Sequence, residues 1–161
     1  MFVFKFFNNI LGINTRTSHF GTNGTRCCWF CFKSGRQDTD ETFLHLFFTC
    51  PTVATWHDEF ITNFIEPQQP LTIADKKKLF FLGIHSGDYN IFLASAIFHF
   101  QFSIWEEKLS KRVPSFITLK TRFLERFTES VNNTKKLQKM GLKLNNPLCR
   151  YIPRARPPLE G

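Results

Sequence analysis

The chain has 161 residues, 42% of them hydrophobic, which is enough for one compact domain or two small ones and too much for a disordered protein. Five cysteines form no even framework, no secretory leader pattern opens the sequence and no apolar run reaches bilayer length. A disulfide scaffold and a membrane span are thereby excluded, and an intracellular, reducing compartment (cytoplasm or nucleus) is expected. Residues 1–70 carry five Lys/Arg against six acids, −1, and the remainder sixteen against seven, +9, for a total of +8. Such a field suits a polyanion such as nucleic acid, and equally a solvated helix face with a basic tail.

Along the chain, Phe4, Phe7 and Leu11 share one face of a short helix over residues 2–11, which Gly12 stops. Residues 14–26, with Thr, Ser, Asn and two glycines, read as an irregular connection. Cys28-Trp29-Phe30-Cys31, followed by Lys33, Ser34 and Gly35, reads as a turn whose backbone N–H groups face thiolate sulfurs. Asp40, or Thr39, is expected to cap a helix starting at Glu41, in which Leu44 and Phe47 or Phe48 face the core and His45 looks toward the cysteine pair. Pro51 suits the first turn of the next helix, to about Ile65, with Val53, Trp56, Phe60 and Phe64 as its apolar stripe.

Residues 66–70, with two prolines, stop that helix and mark a seam. Asp75 is expected to cap a short helix from Lys76 to Leu82, and residues 83–87 read as a turn. From Tyr89 to Leu109 the pattern predicts a central, largely buried helix. Ile91, Ala94, Phe98, Trp105 and Leu109 make one face of it, and Leu93, Ile97, Phe100 and Ile104 nearly fill another. Pro114 ends it, and Ser115 or Pro114 opens a last helix with Phe116, Leu119, Phe123, Phe127 and Val131 inward. Its outward side carries Lys120, Arg122, Arg126, Lys135, Lys136 and Lys139, and the two helices form an antiparallel hairpin. The expected fold is therefore mainly α: a small zinc-knuckle and helix module at 1–66, a helical hairpin at 67–144, and a disordered basic, Pro-rich tail at 145–161.

The chemistry lies in Cys28, Cys31, His45 and Cys50, a tight pair, a spacer, then a second pair straddling a short apolar helix. Three thiols and an imidazole match the tetrahedral preference of Zn2+ in structural sites. Each residue alone reads as a buried cysteine or core histidine; together they read as a ligand set. Cys27 leaves open which thiol of the adjacent pair binds, and the two-residue spacing to Cys31 favours Cys28. His19, His57, His85 and His99 lack partners at motif spacing, and Cys149 has no evident role. Three thiolates with a histidine close the metal, so no catalytic residue is expected.

Glu41-Thr42-x-x-His45-Leu46-Phe47-Phe48-x-Cys50-Pro51, with Trp56 shortly after and the CxxC upstream, resembles the zinc-binding region near the C-terminus of reverse transcriptases from LINE-type (non-LTR) retrotransposons. Residues 6–16 are similar to the segment preceding that knuckle, with Gly12 in place of its proline-containing turn. Leu79 to Ile84, Ile104 to Lys108 and Arg112 to Phe116 are similar to its terminal helical pair. The resemblance spans roughly residues 4–140. It implies Cys28, Cys31, His45 and Cys50 as ligands of a structural zinc, and template RNA or target DNA as partner. It also implies a place beside other reverse transcriptase domains, whose aspartate-pair palm motif is absent from this sequence. On that reading Lys108, Lys111, Arg112, Lys120, Arg122 and Arg126 supply phosphate contacts, while Trp29 and Phe30 either stack on unpaired bases or belong to the core. The competing expectation is a structural or protein-interaction module that docks on a polymerase body without touching nucleic acid.

Overall fold

The structure, a computed structural model, describes residues 11–17, 26–36, 39–65, 70–85, 88–89 and 91–133. The chain is mainly helical. In order come α1 (Asn14–Thr17), α2 (Trp29–Lys33), a π-turn (His45–Thr49), α3 (Pro51–Phe64), α4 (Ile73–Leu82), strands β1 (Ile84–His85) and β2 (Asp88–Tyr89), then α5 (Ile91–Leu109) and α6 (Phe116–Asn133). The expected helix over 2–11, apart from Leu11, and the expected tail lie outside the described residues.

Apolar spacing explains the long helices. Val53, Trp56, Phe60 and Phe64 recur at three- and four-residue steps and all are buried, so α3 turns one stripe inward, with Pro51 pre-set for its first turn. On α6, Leu119, Phe123 and Phe127 do the same, and Ser115 caps its start by accepting from the Thr118 N–H. α5 is buried nearly all round, from Leu93, Ala96, Ile97, Phe100 and Ile104 to the polar Gln101, Ser103 and Glu107. Its pairings with α6 run in opposite directions along the two helices, His99 with Phe127, Phe100 with Phe123, Ser103 with Arg126 and Glu107 with Arg122. The hairpin is therefore antiparallel.

Four rings, one from each of α3 to α6, meet at the centre. Phe60 lies 4.7 Å from Phe100, 5.7 Å from Phe80 and 5.6 Å from Phe123 between ring centroids. Tilted and edge-on pairs at these separations add attraction beyond the area they bury. The buried cluster continues through Phe47, Cys50 and Phe30 to Leu11, so residues on both sides of the 66–70 seam share one core.

Several local expectations change. Thr72, not Asp75, is the N-cap of α4; Asp75 is its reciprocal partner three residues on, completing a capping box. Gly83 ends that helix at φ 68°, and a Cβ there would lie 2.5 Å from the Ala94 Cβ, so both backbone and packing require glycine. The expected 83–87 turn carries a two-residue antiparallel pairing, Ile84 with Tyr89 and His85 with Asp88. Leu109, expected on an inward face, is exposed at the end of α5.

Candidate metal centre

Two short backbone devices build the site. Cys27 pairs with Asp40 in an antiparallel bridge, the Cys28 N–H donates to Thr39 O at 2.9 Å and the Glu41 N–H to Arg26 O at 2.7 Å. Asp40 is thus an extended residue, ion-paired to Arg26, and not the helix cap expected of it. Gly35, at φ 78°, folds the chain after α2 so that the Arg36 N–H reaches Cys31 O at 2.8 Å. The second device is the π-turn. Its closing bond runs from the Cys50 N–H to His45 O at 2.7 Å. In an α-helix, at about 100° per residue, positions five apart diverge around the axis. An i→i+5 turn sets them one above the other, and His45 and Cys50 become two potential ligands on one side. The same rewinding carries Leu44, expected inward, out to 47% exposure and turns Leu46 in.

Donor atoms of Cys28, Cys31, His45 and Cys50 all lie within 4.8 Å of one another, a group that can hold a metal ion. Cys28 Sγ is 3.9 Å from Cys50 Sγ, Cys31 Sγ is 3.8 Å from Cys50 Sγ, and Cys31 Sγ is 3.3 Å from His45 Nε2. For a tetrahedron with metal–sulfur bonds of about 2.3 Å, the sulfur–sulfur edge is about 3.8 Å and the sulfur–nitrogen edge slightly shorter. These three separations therefore match the edges of a zinc tetrahedron. Cys28 rather than Cys27 enters it; the Cys27 thiol turns to the carbonyls of Cys28 and Arg36.

The three cysteines are buried and His45 is half-buried. The hydrogen bond to Cys50, with burial, pushes the Cys28 thiol up; burial and the neighbouring Cys50 charge push Cys31 up. Cys50 is held down, first by the Cys28 thiol and then, against its burial, by the Val53 and Thr52 N–H groups at the start of α3. Crowded thiolates repel one another, and a divalent cation at their centre reverses the balance by ionising all three. The backbone N–H groups that meet Cys28 and Cys50 are the outer-shell donors such sulfurs need.

The basic residues expected to meet phosphate lie elsewhere, and most are engaged. Lys108 is corrected outright: it is 8% exposed, with Nζ 3.0 Å from the fully buried Glu41 carboxylate and donating to Gly12 O at 3.1 Å. Arg112 Nε donates to Glu107 at 2.9 Å, and Arg122 pairs with the other oxygen of that buried carboxylate. Arg126 pairs with Glu106 and donates to Ser103 Oγ at 3.2 Å; with Arg112 and Arg122 it lines one open cleft. Lys120 donates to Asn63 at 2.8 Å and sits over the Phe64 ring. Lys111 is exposed. Phe30 is core at 0% exposure, whereas Trp29 is half-buried beside Phe32, its indole N–H buried without a hydrogen-bond partner among the described residues.

Sequence reasoning missed Glu41 as a buried anchor and Glu107 as a hub for two guanidiniums. Glu41 has no sequence signal, since its partner is 67 residues away. A carboxylate hydrogen-bonded from Asn14 N at 2.8 Å and paired with Lys108 ties α1, the metal-ligand segment and α5 together. His57 is a buried ring stacked 3.7 Å from Phe80. Among the described residues no helix is long and apolar enough to cross a membrane. Compared with family models, curated proteins and solved structures, the chain finds no match.

Proposed function

We propose that the chain is a zinc-stabilised nucleic-acid-binding module of the kind its sequence resembles, the C-terminal zinc-binding region of LINE-type reverse transcriptases. The observation that carries the reading is the convergence of Cys28, Cys31, His45 and Cys50, whose donor atoms all lie within 4.8 Å of one another. Three sulfurs and one imidazole favour zinc, and four protein donors leave no position for water, so the ion acts as architecture and not as a Lewis acid. Charge supports a polyanionic partner. Residues 134–161 hold seven basic side chains (Lys135, Lys136, Lys139, Lys143, Arg150, Arg154, Arg156) against Glu160, a net +6 of the total +8. Phosphate contact therefore shifts from the helix faces, where carboxylates already neutralise the arginines, to this segment and to cations outside any ion pair.

Elemental analysis of purified protein tests the metal, with one equivalent of zinc expected. Titration of labelled RNA and duplex DNA over a salt series tests the partner: affinity falls steeply with ionic strength, and a flat response overturns the reading. A second reading, docking on a polymerase body, is favoured by the exposed Leu109, Val113 and Ile117 around the α5–α6 connection. Replacing Leu109 and Ile117 by serine discriminates the two, since docking requires them and phosphate contact does not.

A further inference from the structure

We propose that the outer side of α2 is a stacking site for an unpaired base of single-stranded nucleic acid, with Trp29 and Phe32 as platform and Lys33 and Arg36 as phosphate contacts. The proposal rests on the nucleic-acid reading above and gives it a location. Five residues of α2 divide cleanly: Phe30 and Cys31 are buried, while Phe32 and Lys33 are exposed and Trp29 is half-buried. Phe32 is 46% exposed, whereas Phe30, Phe47, Phe60, Phe64, Phe80, Phe100, Phe123 and Phe127 belong to the core. The Phe32 ring stacks on Trp29 at 6.0 Å and 28°. Lys33 Nζ lies 4.8 Å from the Trp29 centroid, and Arg36 is brought back beside Cys31 by the Gly35 turn.

The local charges decide what such a surface takes. Asp40 is committed to Arg26 and Glu41 to Lys108, so neither neutralises Lys33 or Arg36, which form no ion pair among the described residues. An apolar protein partner would have to desolvate both cations, and a duplex hides its base faces in the stack. A single strand offers a flat π-face to the rings and phosphates to the cations on either side. The metal holds the platform rigid, because Cys31 precedes Phe32 directly and Cys28 precedes Trp29.

The zinc-loaded full chain is titrated with fluorescein-labelled dT12, rU12 and a matched duplex. Trp56 and Trp105 are buried, so Trp29 dominates any fluorescence quenching on binding. Phe32→Ala, at an exposed position, retains its zinc and circular dichroism; its affinity for both single strands falls roughly tenfold while the duplex is unaffected. Lys33→Gln with Arg36→Gln lowers the salt slope for single strands by about 1.4. If the unaltered chain binds single strands and Phe32→Ala binds them equally well, the platform is wrong and the nucleic-acid reading stands. If the unaltered chain binds no oligonucleotide, the reading beneath it fails. Capture of polyglutamate that depends on Phe32 and excludes dT12 overturns the proposal in favour of an acidic protein.

Discussion

Replacing Lys108 by methionine leaves the Glu41 carboxylate fully buried with, among the described residues, only the Asn14 N–H on Oε1 and nothing on Oε2. Removing one partner of a buried ion pair costs about 3–5 kcal/mol, chiefly the penalty of a stranded charge. Methionine fills most of the lysine stem, so little of that cost is lost packing. Against a domain stability of about 5–15 kcal/mol, this is a third or more of the total for an average fold. Urea denaturation of the zinc-loaded protein, followed by circular dichroism, reads the change as a shift in midpoint at constant slope. Adding Glu41→Gln restores a large part of the loss, because a neutral amide tolerates the site where a carboxylate does not. A loss below about 1 kcal/mol for Lys108→Met, or a double variant no more stable than the single one, would falsify the claim that this pair bears on folding.

Chelating the metal exposes three crowded thiols and, since metal-binding energy in such sites is folding energy, unfolds residues 26–65; unchanged far-UV circular dichroism would count against it. Deleting Thr49, whose side chain is exposed, converts the π-turn to an ordinary turn and swings Cys50 away from His45; competition with a chromophoric chelator should show zinc affinity down by tenfold or more. Burial, with Lys76 adding repulsion, holds His57 down to about 3, so below pH 6.5 the unfolded chain binds a proton that the folded chain refuses. That contribution is complete above pH 6.5 and is lost as pH falls toward 3, about 2 kcal/mol by pH 5. His57→Gln should flatten this limb of the stability profile, and an unchanged limb sinks the assignment. Gly83→Ala forces a side chain into positive φ and against Ala94, for a loss of about 2–4 kcal/mol in thermal or urea unfolding.

The Cys/His cluster and the long helices are legible because each is written in local spacing. Cys28, Cys31, His45 and Cys50 carry their donor type in the residue itself, and the stripes of α3 and α6 carry their inward face in a period of three and four. The π-turn is not, because a 3.6-residue period across residues 43–50 turns Leu44 inward; the spacing of five between His45 and Cys50 is the one signal against it. Asp40 and Asp75 share a residue type that suits a cap, a bridge or a reciprocal partner alike, and only the hydrogen bonds distinguish these uses. Charge was the least legible. A sequence states that Lys108, Arg112, Arg122 and Arg126 are positive and says nothing of the carboxylates that Glu41, Glu106 and Glu107 bring to them in three dimensions.

The segment from Thr39 to Cys50 is braced from two sides. On one, Asp40 bridges Cys27, and His45 and Cys50 supply half of the donor set. On the other, Glu41 pairs with Lys108 and Phe47 packs 6.3 Å from Trp105, both on α5. A metal ion bound only when this segment is ordered stabilises the same conformation that the ion pair selects, and linkage makes the effect reciprocal. The knuckle and the hairpin are thus expected to act as parts of one cooperative structure: an ion bound by the four residues would fix where α2 presents Trp29 and Phe32, and the helical pair fixes the backbone that carries two of the candidate ligands.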